Sequence, residues 1–315
     1  MSATTREPLS VSVIIATFSE KRWDDLLASI ASVKRQTRAP SEILLVVDHN
    51  PALAERLRSE APGIGVTEND GPPGATGSRN AGVAVASGDI LAFLDDDAEA
   101  EPDWLEELVA PFEADERIIG VGGRLQPKWM GHAPRWFPDE FNWVVGCTYR
   151  GMPTKAAPVR NFIGANMAFR RYVFERVQFF TGIGHVGGRP LGGSDPDICL
   201  RVARAWPDRT LLYLPSALVQ HRAHSERARF GYFRSRCYSE GVSKALLRRM
   251  FGGSALSSER SYTARTLPAG VLRGLGEALR GDVGGAQRSA AIVAGFWYTV
   301  AGFVAGTVRQ AIPRA

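Results

Sequence analysis

Apolar residues along the first third of the chain alternate between two periods. Residues 11–16 form a β-branched run that predicts a buried strand, and Trp23, Leu26, Leu27, Ile30 and Val33 then recur at helical spacing. A second buried-strand run over 43–47 ends at Asp48. A third short strand near 65–67 leads into a Gly/Pro-rich loop, 70–77, and a helix resumes over 78–86. Residues 90–94 predict the next strand. Asp95, Asp96 and Asp97 come directly after it, and Trp104, Leu105, Leu108, Val109 and Phe112 then share one helical face. This alternation predicts an α/β fold, a mostly parallel sheet with flanking helices. In such sheets ligands bind beyond the carboxyl ends of the strands, where residues 95–97 lie.

Beyond residue 120 the pattern weakens. Residues 120–193 are rich in Gly, Pro and aromatics without a clear period, and read as loops and short strands that wrap a substrate. A helix returns after Ser194, with Cys199, Val202, Ala203 and Trp206 on one face, followed by a strand over 211–214 and a basic stretch. Near the C-terminus Leu267, Val271, Leu272, Leu275 and Leu279 form an apolar stripe with Arg273, Glu277 and Arg280 off it, an amphipathic helix suited to a membrane surface or a partner. Residues 289–308 carry no formal charge and are bracketed by Arg288 and Arg309. At about 1.5 Å per residue this stretch matches a hydrocarbon core of ~30 Å. Gly302 and Gly306 would let another helix approach closely. Trp297 and Tyr298 fall mid-span rather than at an interface, so a core helix or a monotopic hairpin stays open beside a membrane span. The expected organisation is a tail over 1–10, a catalytic domain over 11–250 and a membrane-associated helical tail over 251–315.

Length and composition narrow the class. At 315 residues with 44% hydrophobic and 23% charged residues, the chain is neither wholly disordered nor fibrous, and no period of repeats runs through it. Cys147, Cys199 and Cys237 are too few and scattered for a disulfide framework or a zinc site, which suits a reducing compartment. The first ten residues hold no apolar run, so a cytoplasmic start is expected. The net charge of +5 hides an asymmetry: residues 89–107 contain nine acids and no base, whereas 222–288 contain thirteen Lys or Arg against five acids. The first suggests a cation site and the second phosphate, nucleic acid or anionic lipid; two solvated faces are the plain alternative.

Three adjacent carboxylates repel one another unless a cation or solvent offsets the charge. Mg²⁺ or Mn²⁺ would take one or two of them together with substrate phosphates. The loop 71–77 runs into a helix carrying Arg79 and Asn80, an arrangement suited to phosphate, although it lacks the spacing and the Lys of a Walker loop. Gly182, Gly184 and Gly187 spell G-x-G-x-x-G, but without a preceding strand and a following helix in place they are not a dinucleotide fingerprint. Asp195 before Pro196 reads either as a helix N-cap or as a carboxylate held ionised for general base work. His221, ending an apolar run, is either a structural histidine or a metal ligand.

In order, Val13-Ile-Ile-Ala-Thr-Phe18, Leu45-Val-Val-Asp48, Gly74-Ala-Thr-Gly-Ser-Arg-Asn-Ala-Gly82, Gly88-Asp-Ile-Leu-Ala-Phe-Leu-Asp-Asp-Asp97, Glu101-Pro-Asp-Trp104 and Asp195-Pro-Asp197 resemble an inverting family-2 glycosyltransferase of the GT-A fold. Val121-Gly-Gly-Arg124, Phe141-Asn-Trp-Val-Val-Gly-Cys-Thr-Tyr-Arg-Gly151 and Arg160-Asn-Phe-Ile-Gly-Ala-Asn-Met-Ala-Phe-Arg171 are similar to the archaeal glucosyl-dolichyl-phosphate glucuronosyltransferases, which extend a lipid-linked sugar at the cytoplasmic membrane face. The resemblance implies that Thr17 and Asp48 line the nucleoside pocket and that Arg79 lies near uracil or diphosphate. It implies that Asp95 and Asp97, with Asp96 sharing in it, position ribose and metal, that His221 adds a metal ligand, and that Asp195 is the catalytic base.

The same resemblance implies a metal-dependent enzyme, using Mn²⁺ or Mg²⁺, that moves a sugar from a UDP-sugar donor to a polyprenyl-phosphate-linked or other membrane glycan acceptor at the cytoplasmic face of the cell membrane. Glucuronate as the donor sugar rests on similarity, with Arg160 or Arg171 available to pair its carboxylate. A homo-oligomer is left open. The family usually carries an acid immediately before the base, and Ser194 stands there; Asp197, two positions into the helix, is the alternative base or a cap partner. A catalytically inactive sheet domain that binds a membrane surface or nucleic acid is the contrasting reading, but the acid cluster would repel nucleic acid. A sugar nucleotidyltransferase would carry a Gly-rich loop with Arg or Lys right after the first strand, where this chain has Thr17-Phe-Ser-Glu20.

Overall fold

The computed structural model describes residues 7–311 apart from positions 181, 183, 187 and 188. Its first half is built from four hydrophobic runs, β1 (Val11–Thr17), β2 (Glu42–Asp48), β3 (Gly65–Asn69) and β4 (Ile90–Asp95), paired in parallel in the order β3-β2-β1-β4. Helices α1 (Trp23–Lys34), α2 (Pro51–Glu60) and α3 (Ala75–Val85) make the crossovers that parallel pairing requires. The chain continues through β5 (Ala98–Ala100), α4 (Trp104–Ala114), β6 (Ile118–Trp129), β7 (Ala157–Pro158) and β8 (Asn166–Arg170). After the small hairpin β9 (Gly184–Val186) and β10 (Arg189–Gly192) come α5 (Ser194–Ala205) and β11 (Thr210–Ala223). Gly187 of the discarded glycine pattern lies outside the described residues.

The full sheet order is β3-β2-β1-β4-β8-β6-β11-β5, with β7 also on β11. Strand β8 runs antiparallel to both its neighbours, β11 runs parallel to β6, and β5 and β7 pair antiparallel with β11. Both sheet faces are covered, which explains why the strands read as continuous apolar runs. Val13, Ile15, Leu45 and Leu94 face α1 and α4 through Leu26, Ile30, Trp104 and Leu108, while Ile14, Val46, Leu91 and Phe93 face the side of α3 and α5 with Ile198 and Val202.

The middle region is more regular than its sequence suggests, because β6 is twelve residues long. Its glycines are a packing requirement. A Cβ at Gly122 would stand 2.3 Å from the Phe162 ring, and one at Gly123 would stand 2.2 Å from the Ala217 carbonyl. The strand expected over 211–214 runs on to Ala223 through an irregularity between Leu214 and Leu218.

Four helices close the chain: α6 (Phe230–Phe251), the short α7 (Ser257–Ser261), α8 (Leu267–Leu279) and α9 (Val283–Ala311). The close approach expected at Gly302 and Gly306 is made within the chain. Gly302 lies against the Tyr238 backbone and Gly306 against Val242 and Ala245, all on α6. The opposite face of the α8–α9 hairpin leaves Leu272, Leu275, Leu279, Val293, Trp297 and Val304 exposed, Leu279 at 90% and Trp297 at 61%. Helix α9 is long and apolar enough to cross a membrane.

Candidate functional site

Asp95 ends β4, and Asp96 and Asp97 form the buried turn into β5. Each carboxylate meets at least one cation, and Arg22 reaches both Asp96 and, at 3.3 Å, Asp97. Arg79 Nη2 donates to Asp95 Oδ1 at 3.0 Å. Arg22 Nη1 donates to Asp96 Oδ1 at 2.9 Å, and Thr17 Oγ1 donates to Asp96 Oδ2 at 2.8 Å. Asp97 pairs with His221 Nε2 at 3.1 Å through one oxygen and accepts from Arg227 Nη2 at 2.9 Å through the other. Thr17 is thus turned toward Asp96. Burial pushes Asp96 up to about 6, against the pull of Arg22 and with added repulsion from Asp97. Burial also opposes charge on Asp97, yet His221, Arg227 and Arg22 outweigh it and hold that carboxyl well below the usual carboxylate range. Burial likewise disfavours the imidazolium, but Asp97 raises His221 well above its ordinary value.

Asp95, Asp97 and His221 offer one ligand atom each, all within 4.8 Å of one another. The two carboxylate oxygens suit Mn²⁺ or Mg²⁺ in type, and the imidazole nitrogen favours Mn²⁺ of the two. The ring is oriented for this: His221 Nδ1 lies 2.9 Å from the Val145 carbonyl, which fixes the tautomer and presents Nε2 to the acids. These residues line a cavity of about 280 Å³ together with Arg22, Arg227 and residues 73–76.

The loop before α3 forms one wall. Asp48 accepts from Asn69 Nδ2 at 2.6 Å and from the Gly74 amide at 2.8 Å, so it braces the loop besides ending β2. Gly74 takes φ +106°, and a Cβ on Gly77 would stand 1.8 Å from the Pro72 carbonyl, so both positions require glycine. The helix starts at Ala75, earlier than its sequence pattern indicates, and places Arg79 in the interior of the site.

Asp195 comes from the first turn of α5. It is not the N-cap: Gly193, in the left-handed region, precedes the helix and Ser194 begins it. Asp195 Oδ1 accepts from Arg79 Nη1 at 3.3 Å and from Ser194 Oγ at 3.1 Å. A single buried guanidinium therefore bridges Asp95 and Asp195, which lie 100 positions apart in sequence. Asp197 is buried and accepts from Arg201 Nε at 2.7 Å, one turn along the same helix, with burial raising its pKa. It meets Arg201 rather than the helix amides. Asp195 opens onto a second cavity of about 420 Å³, walled by Phe141, Trp143, Phe162, Phe296 and Phe303 among others, and Gly146, Gly192 and Ser194 border both cavities.

A family model for glycosyl transferase family 2 matches residues 12–178. The chain belongs to this family. It is 34% identical over 243 residues to a glucosyl-dolichyl phosphate glucuronosyltransferase of Haloferax volcanii, covering 76% of this chain and 77% of that protein. The fold of this glycosyltransferase is GT-A. A Pyrobaculum calidifontis mannosyltransferase bound to GDP-Man and Mn²⁺ superposes with a TM-score of 0.57 at 18% identity, covering 94% of this chain and 88% of that one. GalNAc-T7 with UDP, GalNAc and Mn²⁺ gives 0.54 at 19% identity, covering 82% of this chain; the glycosyltransferase spans about half, 54%, of that chain.

Arg22 and Arg227 are site residues that sequence reasoning missed. Arg22 sits in a one-turn helix after β1 and Arg227 in a similar turn after β11, and an arginine in a polar turn carries no periodic signal. Arg171, considered for a sugar carboxylate, lies at the opposite end of the sheet from Asp95, its amide donating to the Asp89 carbonyl at 2.8 Å. Arg160 faces the larger cavity but is already paired with Glu259.

Proposed function

We propose that this glycosyltransferase moves a sugar from a UDP-sugar to a hydroxyl of a polyprenyl-phosphate-linked acceptor at the cytoplasmic face of the membrane, with inversion at C1. Glucuronate is the donor sugar favoured by similarity to the Haloferax volcanii protein. The observation that carries the reading is the Arg79 bridge, which sets Asp195 at one cavity and the Asp95–Asp97–His221 cluster at the next.

In this reading Asp95, Asp97 and His221 hold a Mn²⁺ or Mg²⁺ ion, which when bound supplies positive charge to the diphosphate leaving group. Asp48, Thr17 and Asp96 shape the nucleoside end, and Arg79 orients the donor's reacting end while fixing the base. Asp195 takes the proton of the acceptor hydroxyl as that oxygen attacks C1, and the nucleotide leaves from the opposite face. Ser194, where the family usually has an acid, donates to the base and adds no second negative charge beside it. Residues 11–250 are the catalytic unit, and 251–315 carry the membrane contact. Because α9 is docked along α6, which bears Arg234, Glu240, Lys244 and Arg248, a span would drag those charges into hydrocarbon; the α8–α9 hairpin lies on the membrane instead.

Calorimetry with UDP, UDP-glucose and UDP-glucuronate, with and without Mn²⁺, tests the reading. Mn²⁺-dependent binding, tightest for UDP-glucuronate, is expected. Equal binding of all three would remove the donor assignment, and no nucleotide binding in the presence of metal would overturn the mechanism.

A further inference from the structure

The wall of the larger cavity carries a charge cluster that the transfer mechanism does not use. Arg160 Nη1 and Nη2 donate to the two carboxylate oxygens of Glu259 at 2.6 and 2.8 Å. Lys244 Nζ donates to Glu259 Oε1 at 2.7 Å and pairs with Glu240 at 2.9 Å. All four residues line the cavity that Asp195 faces. A forked guanidinium and an ammonium converging on one anion are what a phosphate group takes.

We infer that Arg160 and Lys244 form a phosphate site for the phosphate of a lipid-linked sugar acceptor, and that Glu259 fills it as an internal stand-in until the acceptor arrives. The inference rests on the proposed acceptor class and locates its phosphate. Among the charged residues lining the cavity, Arg160, Arg236 and Lys244 balance Asp195, Glu240 and Glu259, so a second anion meets an excess of positive charge only when the Glu259 carboxylate leaves. The segment that carries Glu259 is irregular, and Arg160 also donates to the Ala255 carbonyl within it. It consists of a one-turn helix (Gly253–Leu256), the five-residue α7 and a π turn (Tyr262–Thr266), and it begins at Gly252 with φ +82° and Gly253, neither of which has neighbours around its Cβ position. The rest of the wall suits the ligand. Phe296, Val300 and Phe303 of α9, a helix whose outer face is apolar and exposed, line the same cavity, so a carboxylate base, an anion site and apolar side chains share one chamber. Burial opposes the charge on Glu259, yet Lys244 and Arg160 hold its carboxyl at about 2, so it competes as an anion throughout the neutral range.

The test uses the full chain. Glu259→Gln keeps the shape of the cluster and leaves it with excess positive charge. Inorganic phosphate is expected to raise the melting temperature of Glu259→Gln and not of the wild type, and the Arg160→Gln/Glu259→Gln double variant is expected to lose the response. On phosphatidylcholine vesicles doped with polyprenyl phosphate, Glu259→Gln is expected to partition about tenfold more strongly than the wild type, ~1.4 kcal/mol. On vesicles doped to equal charge with phosphatidylglycerol, the two proteins are expected to bind alike. In the wild-type background Arg160→Lys, which keeps the charge and the Glu259 partner but loses the fork, is expected to bind polyprenyl-phosphate vesicles more weakly than the wild type and phosphatidylglycerol vesicles equally, a readout that stands even if Glu259→Gln does not fold.

A phosphate response that survives in the double variant places the anion elsewhere and overturns the inference. So does an equal gain on phosphatidylglycerol, or a response to inorganic phosphate with none to polyprenyl phosphate. Intact Mn²⁺-dependent UDP binding with no phosphate response defeats this inference alone, whereas loss of UDP binding defeats the transferase reading and leaves the anion result standing.

Discussion

The contact between α6 and α9 decides whether the C-terminal helices are a loose tail or part of the folded unit, and two glycines make it testable. A Cβ on Gly241 would stand 2.0 Å from the Thr299 carbonyl, and one on Gly302 would stand 2.0 Å from the Tyr238 carbonyl. Both obstacles are backbone atoms, so no side-chain rotation relieves them. Ordinary contact begins at 3.4 Å, so the helices must move apart by about 1.4 Å, the difference between 3.4 and 2.0. Such overpacking typically costs ~1–3 kcal/mol, and this case belongs at the upper end because the whole interface opens. Since one displacement relieves both clashes, the Gly241→Ala/Gly302→Ala double variant is expected to cost about as much as either single variant, giving a coupling of ~3 kcal/mol in urea unfolding of the full chain. Gly276→Ala is the control: on α8, with nothing near its Cβ position, it should stabilise the helix by ~0.5–1 kcal/mol. Additive costs for the pair, or singles within ~0.5 kcal/mol of wild type, a value usual for surface substitutions, would refute the docked arrangement.

Asp97→Asn is expected to abolish turnover and the strengthening of UDP-sugar binding by Mn²⁺; near-normal activity in a steady-state assay would remove Asp97 from the metal set. Truncation at the start of α8 would strip the cover from Phe141 and Phe233, so membrane attachment is better probed by Leu275→Glu/Trp297→Glu on the exposed face. That variant should lose binding to phosphatidylcholine vesicles while keeping UDP binding and its melting temperature, and unchanged partition would exclude this face. Glu259 sets an acid limit on stability. Its folded value of about 2 lies below the ordinary 4.5, so its contribution is complete above that ordinary value and is lost as pH falls toward the folded one. Those 2.5 pH units correspond to about 3 kcal/mol at most. Glu259→Gln should therefore flatten unfolding free energy between roughly pH 4.5 and 2; an unchanged slope would mean that the ion pair is not formed.

The strands buried on both faces were legible because sheet burial leaves an unbroken apolar run, as in residues 11–16, 43–47 and 90–94. Strand β6 was not, because Gly120, Gly122 and Gly123 remove the side chains that would mark it, and they do so to admit Leu211, Phe162 and the Ala217 backbone. Helix α2 buries only Leu53, Ala54 and Leu57, too narrow a stripe to read, although Asn50 capping the Leu53 amide at 3.1 Å before Pro51 is a start signal present in the sequence. Helix α6 packs on β10 and the turn of residues 139–145 as well as on α9, so its buried positions do not fall on one stripe. In the site, the acids announced themselves by adjacency. Arg22 and Arg227 reach them across 74 and 130 positions, which no local pattern encodes.

That difference changes how the run of three aspartates is to be understood. From sequence, mutual repulsion calls for an external cation. In the folded chain Asp95 faces Arg79, Asp96 faces Arg22 and Thr17, and Asp97 faces His221 and Arg227, so the protein's own cations already offset the repulsion. The acidic run alone is therefore compatible with a purely structural role. What points to chemistry is the pairing pattern. Arg79 is shared with Asp195, the carboxylate at the neighbouring cavity, and the two outer acids converge with an imidazole whose tautomer a backbone carbonyl fixes. A merely neutralised turn needs neither feature. A metal ion that binds at Nε2 must displace any proton there and take over the neutralisation of Asp97, so binding of Mn²⁺ should release protons from the wild type and fewer from His221→Gln. Equal release from both would leave His221 as a structural partner of Asp97 and return the metal to the carboxylates alone.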